Sequence, residues 1–182
     1  MKNTASPDAM RAVLSYDPET GRFAWRPRSV EMFADDLAMT AGARCALWNK
    51  RFAGKAAFTA DKGDGRKVSP VFGRIYLAHR VAWAIVYGVW PSGQIDHING
   101  DASDNRLSNL RDVTQAVNSK NLPMRRSNRS GVVGVCKHQN GWMVRLGKKY
   151  IGVFADKAEA IKVRRAAEVA AGYHPNHGRK VG

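Results

Sequence analysis

The stretch QIDHINGDASDNRLSNLRDVTQAVNSKN, residues 94–121, decides how the rest of the chain is interpreted. It begins with the Asp96-His97 pair, continues through a polar segment rich in turn-forming residues, and ends in a segment of helical character that carries Asn118. Asp96 and Asn118 each offer a side-chain oxygen, the ligand type that a hard divalent cation such as magnesium prefers. A neutral imidazole at His97 can take a proton from water near neutral pH. The residues therefore fit metal-assisted hydrolysis.

The same stretch contains the strings Asp96-His97-Ile98-Asn99-Gly100-Asp101, Asp104-Asn105-Arg106 and Asn109-Leu110-Arg111. Together they resemble the HNH endonuclease motif, in the variant that phage and homing-type nucleases carry. The resemblance implies that His97 activates water and that Asn109 fixes the loop to the backbone. It implies that Asp96 and Asn118 bind one divalent cation, Mg²⁺ or Mn²⁺. It also implies 5′-phosphate and 3′-hydroxyl ends, and one active site per chain suits nicking of a single strand.

Other interpretations of single residues remain open. Asn-Gly is a strong turn signal, so an isolated Asp-His-x-Asn-Gly string also fits a tight turn. Neighbouring side chains on a regular strand point to opposite faces, so Asp96 and His97 share a site only if the strand ends or twists there. Asn121 is a rival of Asn118 as a ligand. For His79 we expect a structural or phosphate-contacting role, outside the catalytic set.

The charge of the chain indicates a polyanionic partner. The net charge is +15, which suits nucleic acid or an anionic membrane surface. Residues 76–122 carry four basic and four acidic side chains, whereas residues 123–182 carry 13 basic and three acidic ones. A neutral cutting unit next to a basic region makes physical sense, because the basic region can hold phosphates. We therefore expect double-stranded DNA as the partner.

The cysteines and the hydropathy of the chain indicate which structural supports and which compartment to expect. Cys45 and Cys136 are the two cysteines and they form no CxxC pair, so we expect no structural zinc and no disulfide framework. The apolar run Val81 to Trp90 is too short to span a bilayer, and we expect no membrane association. The resemblance implies a phage-encoded or prophage-encoded protein in the cytoplasm of a bacterial host, acting as a monomer or homodimer.

The sequence predicts an α+β protein with four parts: an α+β region over residues 1–75, a ββα-metal nuclease unit over 76–122, a basic linker over 123–130 and a DNA-binding domain over 131–182. In the first part we expect a helix from Asp8 to Tyr16 and a hairpin of residues 67–72 and 75–78 turning at Gly73-Arg74. A helix is predicted over residues 79–88 and strands over 94–97 and 110–113, with Thr114 capping the next helix. Residues 27–50 show no clear periodicity.

The last part is predicted to contain three strands and a helix. The strands are expected at residues 132–137, 142–146 and 150–154, with turns at Asn140-Gly141 and at residues 147–149. Asp156 is expected to begin a helix over residues 157–171, with a capping box to Glu159. This helix would pack on the sheet through Ala160, Val163, Ala167 and Ala170.

This block resembles the Apetala-type DNA-binding domain of plant ethylene-response factors, which is also fused to phage HNH nucleases. The resemblance implies that the sheet lies in the major groove, with the helix behind it. Exposed strand and turn residues would then contact DNA, Arg reading guanine and Lys gripping phosphate. Trp142 fits either a base contact or a core position. The predicted DNA-binding residues are Arg125, Arg126, Arg129, Lys137, Trp142, Arg145, Lys148 and Lys149.

The sequence therefore predicts a metal-dependent HNH-type DNA endonuclease. The main alternative is a DNA-binding regulator without catalytic activity, built on an HNH-derived scaffold. A protein that binds RNA or a membrane surface would explain the charge but not the pattern around His97.

Overall fold

The computed structural model describes residues 4–179 and has an α+β architecture of small antiparallel sheets and short helices. The chain separates into two compact units, Met1–Asp112 and Val113–Gly182. The boundary lies inside the predicted nuclease unit of residues 76–122, so the two units are described separately.

The first unit contains three sheets, ordered β1-β2-β3, β4-β5-β6 and β7-β8. Its elements are α1 (Pro7–Val13), β1 (Leu14–Tyr16), β2 (Phe23–Trp25), a 3₁₀ helix (Val30–Met32), α2 (Ala41–Phe52), β3 (Ala56–Ala57), β4 (Ala60–Asp61), β5 (Lys67–Val71), β6 (Arg74–Leu77), α3 (Ala78–Tyr87), β7 (Gln94–His97), a 3₁₀ helix (Leu107–Asn109) and β8 (Leu110–Val113).

The core of this unit forms where α1 and α3 pack against the sheets. Met10, Val13, Val81 and Ala82 are completely buried there. α3 ends as predicted at Gly88, which adopts a left-handed conformation with φ of 72° that glycine tolerates without strain. This packing matters for the site, because α3 carries His79 from the core towards β7.

The first helix is shorter than predicted. α1 begins after Ser6, whose side chain accepts a hydrogen bond from the backbone N–H of Ala9, and ends at Val13. Residues 14–16 form β1 and pair antiparallel with β2. The prediction of a helix to Tyr16 was therefore wrong at its C-terminal end, because antiparallel pairing with the next strand outweighs local helix propensity.

The predicted hairpin is present as β5 and β6, but its turn is shifted. Val71 lies opposite Arg74, so Phe72 and Gly73 are the two turn residues and the prediction of Gly73-Arg74 was wrong. Both have positive φ, 49° and 73°, as a type I′ turn requires. Phenylalanine rarely adopts this conformation, so the sequence did not signal the turn position.

A helix that the sequence did not reveal, α2, occupies residues 41–52. The side chain of Thr40 caps it by accepting a hydrogen bond from the backbone N–H of Ala43. Cys45 is the one buried residue of this helix. A helix that is exposed on most sides carries little hydrophobic periodicity, which explains why no pattern was found over residues 27–50.

The second unit contains one three-stranded antiparallel sheet, ordered β11-β10-β9, and the helix α5. Its elements are α4 (Gln115–Asn118), a 3₁₀ helix (Ser119–Asn121), β9 (Val135–His138), β10 (Gly141–Leu146), β11 (Lys149–Phe154) and α5 (Lys157–Ala170). The three strands and the helix confirm the predicted order of elements. The first strand begins three residues later than predicted, and Gly141 pairs with His138, so the first turn is Gln139-Asn140.

The cap of α5 is as predicted, but its packed face is not. Asp156 accepts a hydrogen bond from the backbone N–H of Glu159 at 2.9 Å. Ala160 is buried against the sheet, and the next buried positions are Arg164 and Glu168. Val163 and Ala167 are half-buried and Ala170 is exposed, so the predicted packed face was wrong at Ala170 and omitted Arg164 and Glu168.

On the packed face of α5, a buried ion pair between Arg164 and Glu168 stands where apolar side chains were expected. Its side chain is 1% exposed, lies 3.2 Å from the Glu168 carboxylate and donates from Nε to the carbonyl of Val133 at 2.9 Å. His177 is also buried, with its Nε2 3.9 Å from Glu168. The second unit is thus stabilised by a small apolar cluster together with a buried charged one.

Candidate active site

The Asp96-His97 pair lies at the end of β7, in the first unit. β7 is anchored next to β8 by the Asp112 carboxylate, which accepts hydrogen bonds from the backbone N–H groups of Ser92 and Gly93 at 2.8 Å. The strand ends at His97, whose carbonyl accepts a hydrogen bond from the N–H of Gly100 at 2.8 Å to close a turn. The strand end and the turn required by the motif are therefore both present.

His97 is buried, with 8% of its surface exposed. Its Nε2 lies 3.4 Å from the side-chain oxygen of Asn105. Burial lowers the pKa of His97, while the bond to Asn105 and the nearby charge of Asp96 oppose this shift. The imidazole is therefore neutral at neutral pH and available to accept a proton.

A second histidine packs against this base. The ring of His79, near the start of α3, meets the His97 ring edge-on with centroids 5.1 Å apart. His79 is 4% exposed, and its Nδ1 has no hydrogen-bond partner among the described residues. Burial is the largest cause that lowers the pKa of His79 to about 3, with the neighbouring His97 as the next. A permanently neutral His79 forms one wall beside the candidate base.

Asn109 fixes the loop that follows His97. Its side-chain oxygen accepts a hydrogen bond from the backbone N–H of Asn99 at 2.9 Å, and its amide nitrogen donates to the carbonyl of Asp104 at 2.8 Å. Its own carbonyl accepts from the N–H of Ile98 at 2.9 Å. These bonds hold both ends of the loop, and a role of Asn109 in the reaction stays a prediction.

The other acidic residues of the loop are used within the loop. Asp104 pairs with the guanidinium of Arg106, and the hydrogen bond from Arg106 is the largest cause that lowers the pKa of Asp104 to about 2. Asp101 accepts hydrogen bonds from the backbone and hydroxyl of Ser103 at 2.9 and 2.8 Å. Their carboxylates therefore shape the loop.

Asp96 differs from them because it is buried and paired with a residue of β8. Its side chain is 7% exposed, and its Oδ2 accepts hydrogen bonds from Nε and Nη2 of Arg111 at 2.9 and 2.6 Å. Arg111 is part of the motif strings, but its residue type and spacing alone indicate no role for it. The alternation of side chains on two paired strands was the signal that would have placed the two residues together.

Asn118 and its rival Asn121 lie in the second unit. Asn118 is the last residue of the four-residue helix α4, which the hydroxyl of Thr114 caps as predicted by accepting from Val117 N–H. Asn121 is buried, and its backbone and side-chain oxygens accept from Nη1 of Arg179 at 2.6 and 3.3 Å. The assignment of Asn118 as a ligand stays a prediction.

The donor groups fit a cation that keeps most of its water. Residues 4–179 contain no group of three or more His, Cys, Asp or Glu side chains placed to hold a metal ion. Mg²⁺ is typically bound through one or two carboxylates, with waters and substrate phosphates completing its shell. A single buried carboxylate beside a neutral imidazole is compatible with that mode of binding.

A cavity of about 660 Å³ opens on the other side of Asn105. Its lining includes Arg22 and Lys67 together with the acidic Asp17, and Tyr16 also lines it. The Tyr16 hydroxyl donates to the carbonyl of Asn105 at 2.8 Å, and burial is the main reason why its pKa is raised to about 12. Asn105, which contacts His97, thus also lines a groove that carries both basic and acidic side chains.

In the second unit, the sheet has one face covered by α5 and one open face. Val135 and Val144 lie opposite each other and pack against Ala160. Trp142 lies on this covered side, because its ring is 5.0 Å from Nζ of Lys157, the first residue of α5. Trp142 is half-buried against the core, which favours the core position of the two that the sequence left open, and its assignment to DNA stays a prediction.

The other predicted DNA-binding residues are exposed. Lys137 lies opposite Trp142 with its Nζ 5.1 Å from the ring, and is therefore also on the covered side. Arg145 directly follows the buried Val144 on β10 and therefore belongs to the open face. The remaining exposed residues lie in the turn, at the start of β11 and in the segment before the sheet: Lys148, Lys149, Arg125, Arg126 and Arg129.

Similarity to known proteins is limited to the segment that carries His97. No curated protein and no solved structure matches the chain. None of the helices within residues 4–179 is long and apolar enough to cross a membrane. Residues 76–120, which include His79, Asp96, His97, Asn109 and Asn118, match a family model described as HNH endonuclease. This match, over about a quarter of the chain, supports an HNH endonuclease.

Proposed function

We propose that the protein is a metal-dependent DNA endonuclease that nicks one strand and leaves 5′-phosphate and 3′-hydroxyl ends. The observation that carries the proposal is a buried, neutral His97 next to the Asp96 carboxylate, within the residues that match the HNH family model. A simple turn does not require either group to be buried, and burying polar groups costs free energy.

In the proposed reaction, His97 takes a proton from a water molecule, which then attacks the phosphodiester. Asn105 orients the imidazole through its contact with Nε2, and Asn109 holds the loop that carries both. Asp96 would hold a divalent cation, Mg²⁺ or Mn²⁺, with Asn118 as the oxygen ligand that the resemblance implies. When bound, that ion would stabilise the charge on the phosphate and the leaving 3′ oxygen.

DNA is proposed to be held mainly by the basic residues outside the loop. Arg22 and Lys67 line the cavity next to Asn105 together with Asp17, and we assign phosphate contacts to the two cations. In the second unit, we assign base contacts to Arg145 on the open face and phosphate contacts to Lys148 in the adjacent turn. This arrangement follows the resemblance to the Apetala-type domain, with Trp142 assigned to the core.

A DNA-binding regulator without activity is the second candidate. The observation that favours it is the ion pair between Asp96 and Arg111, since a carboxylate that is neutralised by arginine is a poor metal ligand in that state. A protein of this kind would bind duplex DNA equally well with and without a divalent cation.

The test is cleavage of supercoiled plasmid with Mg²⁺, with Mn²⁺ and with EDTA. We expect open-circular product with either ion and none with EDTA. His97→Ala should reduce the rate by on the order of 10²–10⁴ while leaving DNA affinity within a few-fold, because the imidazole transfers a proton and does not anchor the DNA. His174→Ala, a half-buried histidine of the second unit, is the matched control and should cut like the parent.

Two results would contradict the proposal. Cleavage that continues in EDTA would exclude the metal-dependent mechanism. Equal rates for the parent and His97→Ala would show that another group acts as the base. Binding without any cleavage under all three conditions would favour the regulator.

A further inference from the structure

The ion pair at Asp96 differs from the other arginine contacts around the site. Arg111 donates from Nε and Nη2 to one carboxylate oxygen of Asp96, at 2.9 and 2.6 Å. Arg106 pairs with Asp104 within the loop, and Arg80 donates to the carbonyl oxygens of Gly93 and Pro91. Arg111 is therefore the arginine that contacts the carboxylate assigned to the metal.

The two partners of this pair are buried to different degrees. The Asp96 side chain is 7% exposed and cannot leave its position without losing its packing. The Arg111 side chain is 33% exposed, and its flexible stem allows the guanidinium to move towards solvent while β8 stays in place. The arginine is consequently the mobile partner.

The ion pair between Arg111 and Asp96 is electrostatically incompatible with a divalent cation bound to the same Oδ2 of Asp96. A guanidinium and a divalent cation within a few ångströms of each other repel strongly when they are partly shielded from water. A guanidinium fork also matches the oxygens of a phosphate as well as those of a carboxylate. A bound DNA strand therefore offers Arg111 a replacement partner.

We propose that Arg111 occupies Asp96 in the metal-free protein and transfers to a phosphate of the bound strand when a divalent cation takes its place. Arg111 would then be a substrate-binding residue whose release is coupled to metal binding. The exchange leaves each charge with an opposite partner: the carboxylate with the cation, and the guanidinium with the phosphate. This inference rests on the proposed nuclease function.

The first experiment measures Mn²⁺ binding without DNA by electron paramagnetic resonance of the full chain. Arg111→Ala removes the competing cation, so we expect Mn²⁺ affinity to rise roughly fivefold, the scale of a partly exposed ion pair. Arg106→Ala is the matched control, because it removes an equal charge from the neighbouring loop and Arg106 pairs with Asp104 instead of Asp96. Its affinity should stay within about twofold of the parent.

The opposite sign would overturn the exchange. If Arg111→Ala weakens Mn²⁺ binding or leaves it unchanged, the arginine only orients the carboxylate or has no part in the site. The gain must also depend on Asp96, so the double variant Asp96→Asn/Arg111→Ala should lose it. Should Arg111→Ala fail to fold by circular dichroism, Arg111→Lys decides, with a smaller rise of the same sign.

The second experiment measures DNA affinity in the His97→Ala background, where the strand is not cut. Mn²⁺ should strengthen DNA binding in this background, because it frees Arg111 for a phosphate. With Arg111→Ala added, that gain should shrink, and the slope of log affinity against log salt in Mn²⁺ should fall by about 0.9. An undiminished gain would exclude the phosphate contact.

Both experiments read binding and not cleavage, so they separate the two proposals. If the parent protein binds Mn²⁺ with the expected dependence on Arg111 but never cuts plasmid, the proposed nuclease function is wrong and the exchange stands. If the parent cuts plasmid but Arg111→Ala leaves the Mn²⁺ affinity unchanged, the exchange is wrong and the nuclease function stands.

Discussion

At the scale of single residues, the surroundings of His97 set the pH at which the protein can act. Burial lowers the pKa of this imidazole, and the charges of Asp96, Asp101 and Asp104 oppose the shift without overcoming it. A base works in its neutral form, so the cleavage rate should rise with pH and level off below about 6.5, the ordinary value for histidine.

The measurement is the single-turnover rate of plasmid nicking between pH 5 and 8 at saturating Mg²⁺. Asp101→Asn tests the direction of the effect. Removing a nearby anion lowers the pKa of His97, so the increase in cleavage rate should move to lower pH. A rise centred above 6.5, or a shift of Asp101→Asn to higher pH, would contradict the assignment of His97 as the base.

The buried His79 makes a separate prediction about stability. Its pKa of about 3 in the folded chain lies well below the value of about 6.5 expected when unfolded. Below pH 6.5 the unfolded chain therefore binds a proton that the folded chain refuses. The free energy of unfolding should fall as the pH decreases from about 6.5 towards 3, by up to about 1.4 kcal/mol per pH unit from this residue.

His79→Phe keeps an aromatic ring beside His97 but removes the titration. Urea unfolding at several pH values should show a shallower decline for this variant than for the parent, with His138→Phe on the exposed strand β9 as the control. Identical declines in the parent and His79→Phe would show that His79 is not held neutral by burial.

At the scale of elements, the buried pair on α5 predicts a strong context effect. Arg164→Ala leaves Glu168 buried with less compensation and should destabilise the protein by about 3–5 kcal/mol, the usual cost of breaking a buried pair. Replacing both partners, as Arg164→Met/Glu168→Leu, should cost much less, because no unpaired charge remains.

Thermal unfolding followed by circular dichroism checks this order. Arg165→Ala is the matched control: Arg165 also contacts Glu168, at 3.0 Å, but its side chain is 50% exposed, so the loss should be about 0–1 kcal/mol. A double variant that is as unstable as Arg164→Ala would show that steric packing, and not the charge, dominates at this position.

Helices and strands could be predicted from the sequence where a local end signal, such as a glycine or a turn, accompanied a run of residues that is buried in the fold. α3 combines an apolar run with a terminal glycine, and the strands around the loop have clear turn signals at their ends. α2 was missed because Cys45 is its only buried residue, and the packed face of α5 was mistaken because charged residues occupy it. No periodicity rule places a buried arginine at the centre of an apolar stripe.

The candidate site was predictable as a set of residue types, but its contacts were not. The motif indicated His97, Asp96 and Asn109 because their spacing is distinctive. The contacts of His97 with Asn105 and His79, and of Asp96 with Arg111, depend on how α3, β7 and β8 meet. Those relations are properties of packing, and a linear pattern does not contain them.

At the scale of the whole molecule, the distribution of charge predicts how the protein meets DNA. Residues 123–182 carry 13 basic and three acidic side chains, and two of the charged ones, Arg164 and Glu168, are buried in a pair. The exposed remainder should give steep salt dependence, since each neutralised phosphate contributes about 0.9 to the slope of log affinity against log salt.

Sequence preference should depend on the open face of the sheet in the second unit. Arg145 lies there beside Tyr150 and can donate two hydrogen bonds to a guanine edge, whereas Lys148 lies in the turn and offers a single charge. Arg145→Ala should weaken binding to a duplex selected from a random pool by about 1–3 kcal/mol, with a much smaller loss on unselected duplex. Lys148→Ala should weaken both duplexes about equally and lower the salt slope by about 1.

Lys162→Ala completes the comparison, because Lys162 is exposed on α5 and the helix lies on the opposite side of the sheet. Salt titrations of the His97→Ala chain with each change, on both duplexes, give the preference and the slope together. If Arg145→Ala behaves like Lys162→Ala on the selected duplex, the open face does not read bases. Since Arg145 is the strand-borne cation on that face, preference would then have to come from the nuclease unit, and the basic second unit would supply affinity alone.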